Sequence, residues 1–107
     1  MTAKKHPRED TCVRAIREKL VADYGPRHPH AQIDVKRYNS VSVRVRILDP
    51  DFARQNRTAR DTAIWDILDT LPEETREEIS MLILLTPEEA KTSLMNLEFE
   101  DPTPSRL

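Results

Sequence analysis

Glycine is nearly absent from this chain: Gly25 is the only one in 107 residues. That excludes a GxxG loop, the element that clamps a nucleic-acid backbone in one large class of binding domains. Cysteine is equally scarce. Cys12 has no second thiol to pair with, and the first residues, MTAKKHPRED, lack the apolar stretch of a secretory leader, so cytoplasm is the expected compartment. Aromatic residues make up 5% of the chain, which leaves Tyr38 as the one good candidate for stacking on a base. No long hydrophobic run exists either. The longest, Met81 to Leu85, is far short of the roughly 20 residues that cross a bilayer, so no membrane contact is expected.

What the chain has in quantity is charge, and the two signs are unevenly placed. Residues 1–60 carry 14 Lys and Arg against 7 Asp and Glu, whereas residues 61–107 carry 3 against 12, giving the net −2. The small total argues against sequence-blind electrostatic binding of nucleic acid. The segregation makes the molecule a dipole if the halves fold onto different faces; alternatively, the charges only keep a small domain soluble.

Apolar spacing outlines the elements. Asp10 or Thr11 can cap a helix with Cys12/Val13, Ile16 and Leu20 on one face, ended by Tyr24-Gly25-Pro26 with Gly25 at a left-handed position. Ile33 and Val35, a tight turn at Tyr38-Asn39-Ser40, then Val41, Val43, Val45 and Ile47 predict a hairpin with one wet face. Asp49-Pro50-Asp51 ends the strand. A helix with Ile64, Trp65, Ile67, Leu68 and Leu71 follows, and Thr70-Leu71-Pro72-Glu73 reads as the capped start of a short acidic helix reaching Glu78, interrupted by Arg76 and solvated. Ile79 to Leu85 predicts a strand buried on both faces or central in its sheet. Thr86-Pro87-Glu88-Glu89 is a capping box opening a last helix with Ala90, Leu94 and Leu97 inward. The fold class expected is α+β, in the order α-β-β-α-(α)-β-α, with helices on one face of a small mixed three-stranded sheet. The expected organisation is a flexible stretch 1–8, one domain over 9–97, and a disordered acidic, proline-containing tail over 98–107.

Read in order, VSVRVRILDPDF, NRTARDTAIWDIL, ISMLILL and TPEEAK resemble the BolA-like proteins, small α+β domains related to class II KH folds; the resemblance covers about half the chain, Val41 to Lys91. It implies a non-enzymatic module that acts by binding a protein partner. Members of that family commonly partner monothiol glutaredoxins around a shared iron-sulfur cluster, using a histidine that follows an arginine at the start of the second helix. Here the matching pair is Arg60-Asp61, and the short loop Arg37 to Ser40 offers no Cys or His for the other cluster position, so no cofactor is expected.

Asp61 also closes a Thr58-Ala59-Arg60-Asp61 box, a helix-start pattern in which a carboxylate takes up a free backbone donor. The basic candidates are Arg44 and Arg46 on the wet face of the hairpin, and Arg57 and Arg60 near a helix N-terminus; together they suit an acidic partner surface or, as an alternative, weak RNA or DNA binding. His28, His30, His6 and Cys12 match no standard metal spacing, Cys12 reads as a core residue, and no metal is expected. No phosphate loop, Ser/His/Asp set or supported carboxylate pair points to catalysis, and no small-molecule substrate is implied.

Overall fold

The computed structural model describes residues 10–106. The expected flexible stretch 1–8 lies outside them. The architecture is α+β, a three-stranded mixed sheet with five α-helices: α1 (Thr11–Asp23), β1 (Gln32–Asn39), β2 (Ser42–Leu48), α2 (Arg57–Leu68), α3 (Glu73–Arg76), β3 (Ile79–Leu85), α4 (Pro87–Ala90) and α5 (Leu94–Glu100). Short 3-10 turns occupy Gly25–Arg27 and Pro50–Arg54. Among the described residues no helix is long and apolar enough to cross a membrane.

The strand order is β1-β2-β3. β1 and β2 form the antiparallel hairpin, pairing Ile33 with Ile47 and Val35 with Val45. β3 runs parallel to β2, Val45 opposite Leu82 and Ile47 opposite Leu84, which obliges the chain to cross over through α2 and α3. β2, not β3, is thus the middle strand. β3 lies at the edge, and its second half is nonetheless buried because the sheet is covered on both sides.

One face carries Val35, Val43, Val45, Ile47 and Leu84 against Val13, Ile16 and Leu20 of α1 and Ile64 and Leu68 of α2, closed by Tyr24 and Phe52. Eight of these, Ile16, Leu20, Val43, Val45, Ile47, Phe52, Ile64 and Leu68, are fully buried. Burial on that scale contributes about 1.5–3 kcal/mol per side chain and is the main force holding α1 and α2 to the sheet. The other face is the second, smaller core: Ile83, Leu85 and Phe99, flanked by Leu48, Met81 and Ala90. The hairpin face expected to be wet is therefore roofed by α5, and helices lie on both sides of the sheet.

Several local expectations shift. Asp10 caps α1, its carboxylate accepting from the Val13 amide at 3.1 Å. Gly25 does not take a left-handed conformation; the described chain has no positive φ, and Gly25-Pro26-Arg27 continues directly as a 3-10 turn. α2 is capped by Asn56, which accepts from Ala59 N at 2.8 Å, so Thr58 and Asp61 fall inside the helix and form no box. Thr70 likewise caps nothing; its hydroxyl donates back to the Ile67 carbonyl at 2.7 Å, and α3 starts from Pro72 without a side-chain cap. The Thr86 box forms as read, with Glu89 N on Thr86 Oγ1 at 3.0 Å and Thr86 N on Glu89 Oε1 at 2.9 Å.

The last helix departs most. It stops at Ala90, and Ser93 caps a new one by accepting from Asn96 N at 3.1 Å. The restart changes the helical phase, so Leu94 and Leu97 point outward (81% and 61% exposed) while Phe99 turns in (1%). The boundary drawn between 97 and 98 consequently falls within α5, and beyond it the tail is bonded to the hairpin: Tyr38 donates its hydroxyl to the Thr103 carbonyl, and Asn39 Nδ2 donates to Ser105 Oγ at 3.0 Å.

Candidate functional site

The Asn56 cap sets the phase of α2, and with it the opposite fates of Arg57 and Arg60. Arg57 faces solvent. Arg60, three residues on, is turned inward and is 7% exposed. Its Nε donates to the Gln55 carbonyl at 3.0 Å, Nη1 to the Leu84 carbonyl at 3.0 Å, and Nη2 to the Phe52 carbonyl at 2.8 Å. Nη1 and Nη2 also grip Glu89 at 2.7 and 3.1 Å in a two-pronged pair. One guanidinium thereby ties the 50–54 turn, the end of β3 and the start of α4 together.

Arg44 and Arg46 lie on the opposite part of the sheet and are also engaged. Arg44 Nη1 donates to Glu98 at 3.0 Å and its guanidinium carbon stacks 3.5 Å from the Tyr38 ring centroid. Arg46, 5% exposed, donates Nη2 to Asp34 at 2.7 Å, Nη1 to Asn96 at 2.8 Å and to Glu100, and lies 4.6 Å from the Phe99 ring centroid. The Glu98, Glu100 and Asn96 partners all come from α5. Positive first half and negative second half therefore pair across the sheet instead of forming two charged faces. The four arginines do not form one basic surface, and Tyr38, the candidate stacking ring, is already covered by Arg44.

Arg57 is the exception. Its side chain makes no ion pair among the described residues, and it lines a groove with Gln55, Asn56, Leu85, Ser93, Leu94 and Met95. Arg60 forms part of the same lining, and Asp61 joins a continuous smaller recess reaching Ile83. The outer wall is apolar, with Leu94 81% and Met95 43% exposed; Leu97, 61% exposed, lies one turn further on and lines the adjoining groove that shares Leu94. The pattern of residues 87–97 suggests an unbroken helix, so the outward turn of Leu94 and Leu97 escapes it; the only cue is Ser93, a good cap residue beside Thr92.

Ionisation follows these contacts. The Arg60 guanidinium, together with the Thr86 amide, holds the Glu89 carboxyl down to about 2 from the usual 4.5. Arg44 and the Thr103 amide lower Glu98, and Arg46 lowers Glu100. Because the Glu89 pKa is lower in the folded chain, the pairing contributes its full stability above pH 4.5 and loses it as pH falls from 4.5 towards about 2. Glu89→Gln should accordingly flatten the acid limb of urea-unfolding stability between those values; an unchanged limb would show that the Arg60 pair adds nothing measurable. The effect is modest, since the Glu89 side chain is 45% exposed and screened by water.

Cys12 is partly buried, its Sγ 3.8 Å from the Thr75 carbonyl, and burial pushes its thiol up, away from a reactive thiolate. A second polar group of note is Asp49, fully buried, to which the Tyr24 hydroxyl donates at 2.6 Å. Burial and that bond raise the Tyr24 pKa far above its ordinary value, so the phenol remains a donor.

No protein-family model, no curated protein and no solved structure matches this chain.

Proposed function

We propose that this protein is a non-enzymatic interaction module, of the BolA-like/KH type its motifs resemble, which binds a protein partner through the α5 groove. The observation that carries this reading is the exposure of Leu94 and Met95, with Leu97 one turn further on, beside Arg57, an arginine with no ion pair among the described residues. Apolar side chains grouped on one helix face and rimmed by polar residues are the usual core of a binding surface. Charge complementarity favours, as the occupant, a protein segment presenting apolar side chains next to a carboxylate, the apolar part on Leu94 and Met95 and the carboxylate on Arg57. The three-stranded sheet with α2 packed on it is what the resemblance requires. Sharing an iron-sulfur cluster is no part of the proposal, because Asp61 stands where that family uses an imidazole.

The test is site-specific photo-crosslinking in cell extract from a residue introduced at position 97. A protein adduct that disappears with Leu94→Glu, weakens at least tenfold with Arg57→Glu and persists with Val21→Glu supports the reading. Val21 is a suitable control, being an exposed apolar residue on α1, 53% accessible. An adduct of the chain with itself, an RNA adduct, or one indifferent to both groove changes overturns it.

A further inference from the structure

The geometry points to a divalent metal site formed by His28, Asp49 and Asp51, and we infer that these three side chains bind one first-row transition-metal ion of the zinc class. In the sequence His28, His30, His6 and Cys12 fit no standard ligand spacing, and no metal is expected from them. Folding instead brings His28 onto two aspartates from the 49–51 turn, the farther 23 residues away in the chain.

His28 Nδ1 lies 2.8 Å from Asp51 Oδ2 and 3.2 Å from Asp49 Oδ2, and one donor atom from each of the three residues falls within 4.8 Å of the others. Tetrahedral bonds of about 2.0–2.2 Å from such an ion to nitrogen and oxygen place neighbouring ligand atoms about 3.3–3.6 Å apart. The 3.2 Å spacing is close to that edge, and the 2.8 Å one, a hydrogen bond when no ion is bound, need open by only about half an ångström. Without an ion, a single ring nitrogen carries at most one proton to share between two carboxylates, and one of these is fully buried. A dication answers both negative charges from one position. One imidazole with two carboxylates selects zinc-like ions over Ca²⁺ and Mg²⁺, which prefer all-oxygen surroundings.

The surroundings hold the ligands in place. Tyr24 donates its hydroxyl to Asp49 Oδ2 at 2.6 Å, and the Asp51 amide donates to Asp49 Oδ1 at 2.9 Å. The Tyr24 and His28 rings stack with centroids 3.9 Å apart and 7° between planes, which fixes the direction of Nδ1. The Asp49 amide is anchored on the Leu85 carbonyl at 2.9 Å, and the His28 amide on the Gly25 carbonyl at 3.0 Å. Such supporting bonds orient ligands before an ion arrives. On the outer side the Asp51 side chain is 55% exposed and His28 23%, leaving an entry path and coordination positions for water. The ion would join the linker after α1 to the turn after β2.

Isothermal titration of Zn²⁺ into the full chain, free of any affinity tag and first stripped with chelator, tests the site. Expected is one Zn²⁺ per chain, weakened at least tenfold by Asp51→Asn and by His28→Gln, and about tenfold by Tyr24→Phe, which only positions Asp49. Mn²⁺ should selectively broaden the amide signals of residues 28–31 and 49–52. Asp51 is exposed, so Asp51→Asn decides the matter even if His28→Gln fails to fold. Absence of binding at millimolar Zn²⁺ overturns the inference. So does binding unaffected by Asp51→Asn, which would place the ion on other histidines or on Cys12.

Discussion

Arg60→Ala is expected to lower the unfolding free energy by about 3 kcal/mol, seen as a fall in melting temperature of about 12–24 °C. The Gln55 and Leu84 carbonyls lose their donor at once and the Phe52 carbonyl keeps only the Gln55 amide, two of the three lost bonds being buried. Each stranded acceptor costs about 1–3 kcal/mol, so the sum is held below its upper range only by the relaxation that a smaller side chain permits. Glu89 adds little to the penalty, since nearly half of its side chain meets water and stays solvated without its partner. Arg60→Lys should recover less than half of the loss, because one ammonium cannot reproduce the planar fork that reaches four acceptor residues. The comparison that makes the experiment decisive is Arg57→Ala, expected within about 0.5 kcal/mol of the parent chain because that side chain is exposed and has no ion pair among the described residues. Urea titrations with unchanged slope would check both; a loss under 1 kcal/mol for Arg60→Ala would mean that water replaces the guanidinium.

The second large effect falls on α5. Phe99→Ala should release the helix from the sheet and reduce the hydrogen-exchange protection of the Leu97 and Asp101 amides about a hundred- to a thousandfold, leaving β2 protected. Seven residues are too few for a helix to persist alone, so α5 depends on its docking. Phe99 supplies most of the apolar contact, with Ile83 and Leu85 beneath it, and Lys36 and Arg46 over its ring at 4.5 and 4.6 Å. Truncating a buried Phe costs about 3–5 kcal/mol where the site cannot collapse, enough to offset what holds a short helix down. Release would also separate Arg44 and Arg46 from Glu98 and Glu100. The same variant therefore tests weak nucleic-acid binding by the hairpin: single-stranded RNA should bind Phe99→Ala at low salt, more tightly than the parent chain, with an affinity that falls as salt rises. No gain in RNA affinity despite lost α5 protection would remove that alternative.

Much of the framework is legible from local pattern. Val13, Ile16 and Leu20 at helical spacing, and Val43, Val45 and Ile47 at strand spacing, mark faces that are buried in the structure, because a periodic apolar stripe has one low-energy destination. The Thr86-Glu89 box works equally well, since both of its bonds close within four residues. Capping fails as a guide where two starts compete: Asn56 and Thr58 are both good cap residues, and the earlier one wins, displacing Asp61 from the helix end. Ser93 restarts the last helix for a similar reason, reversing the expected roles of Leu97 and Phe99.

The candidate sites were far less visible, because their residues meet only through long-range folding. Arg44 finds Glu98, Arg46 finds Glu100 and Arg60 finds Glu89, so the basic and acidic halves neutralise one another across the sheet. Charge carries no directional period along the chain, and a pairing between residues 54 positions apart leaves no local signature. The approach of His28 to Asp49 and Asp51, and the freedom of Arg57 beside Leu94, depend likewise on where the linker and α5 come to rest. By itself the sequence determined the strands, the helices up to the break after Ala90 and the α+β class, all set by short-range periodicity and turn chemistry. Only the tertiary structure decided which charges are buried in pairs and which remain available, because desolvation and Coulomb attraction act on neighbours in space whatever their separation in the chain.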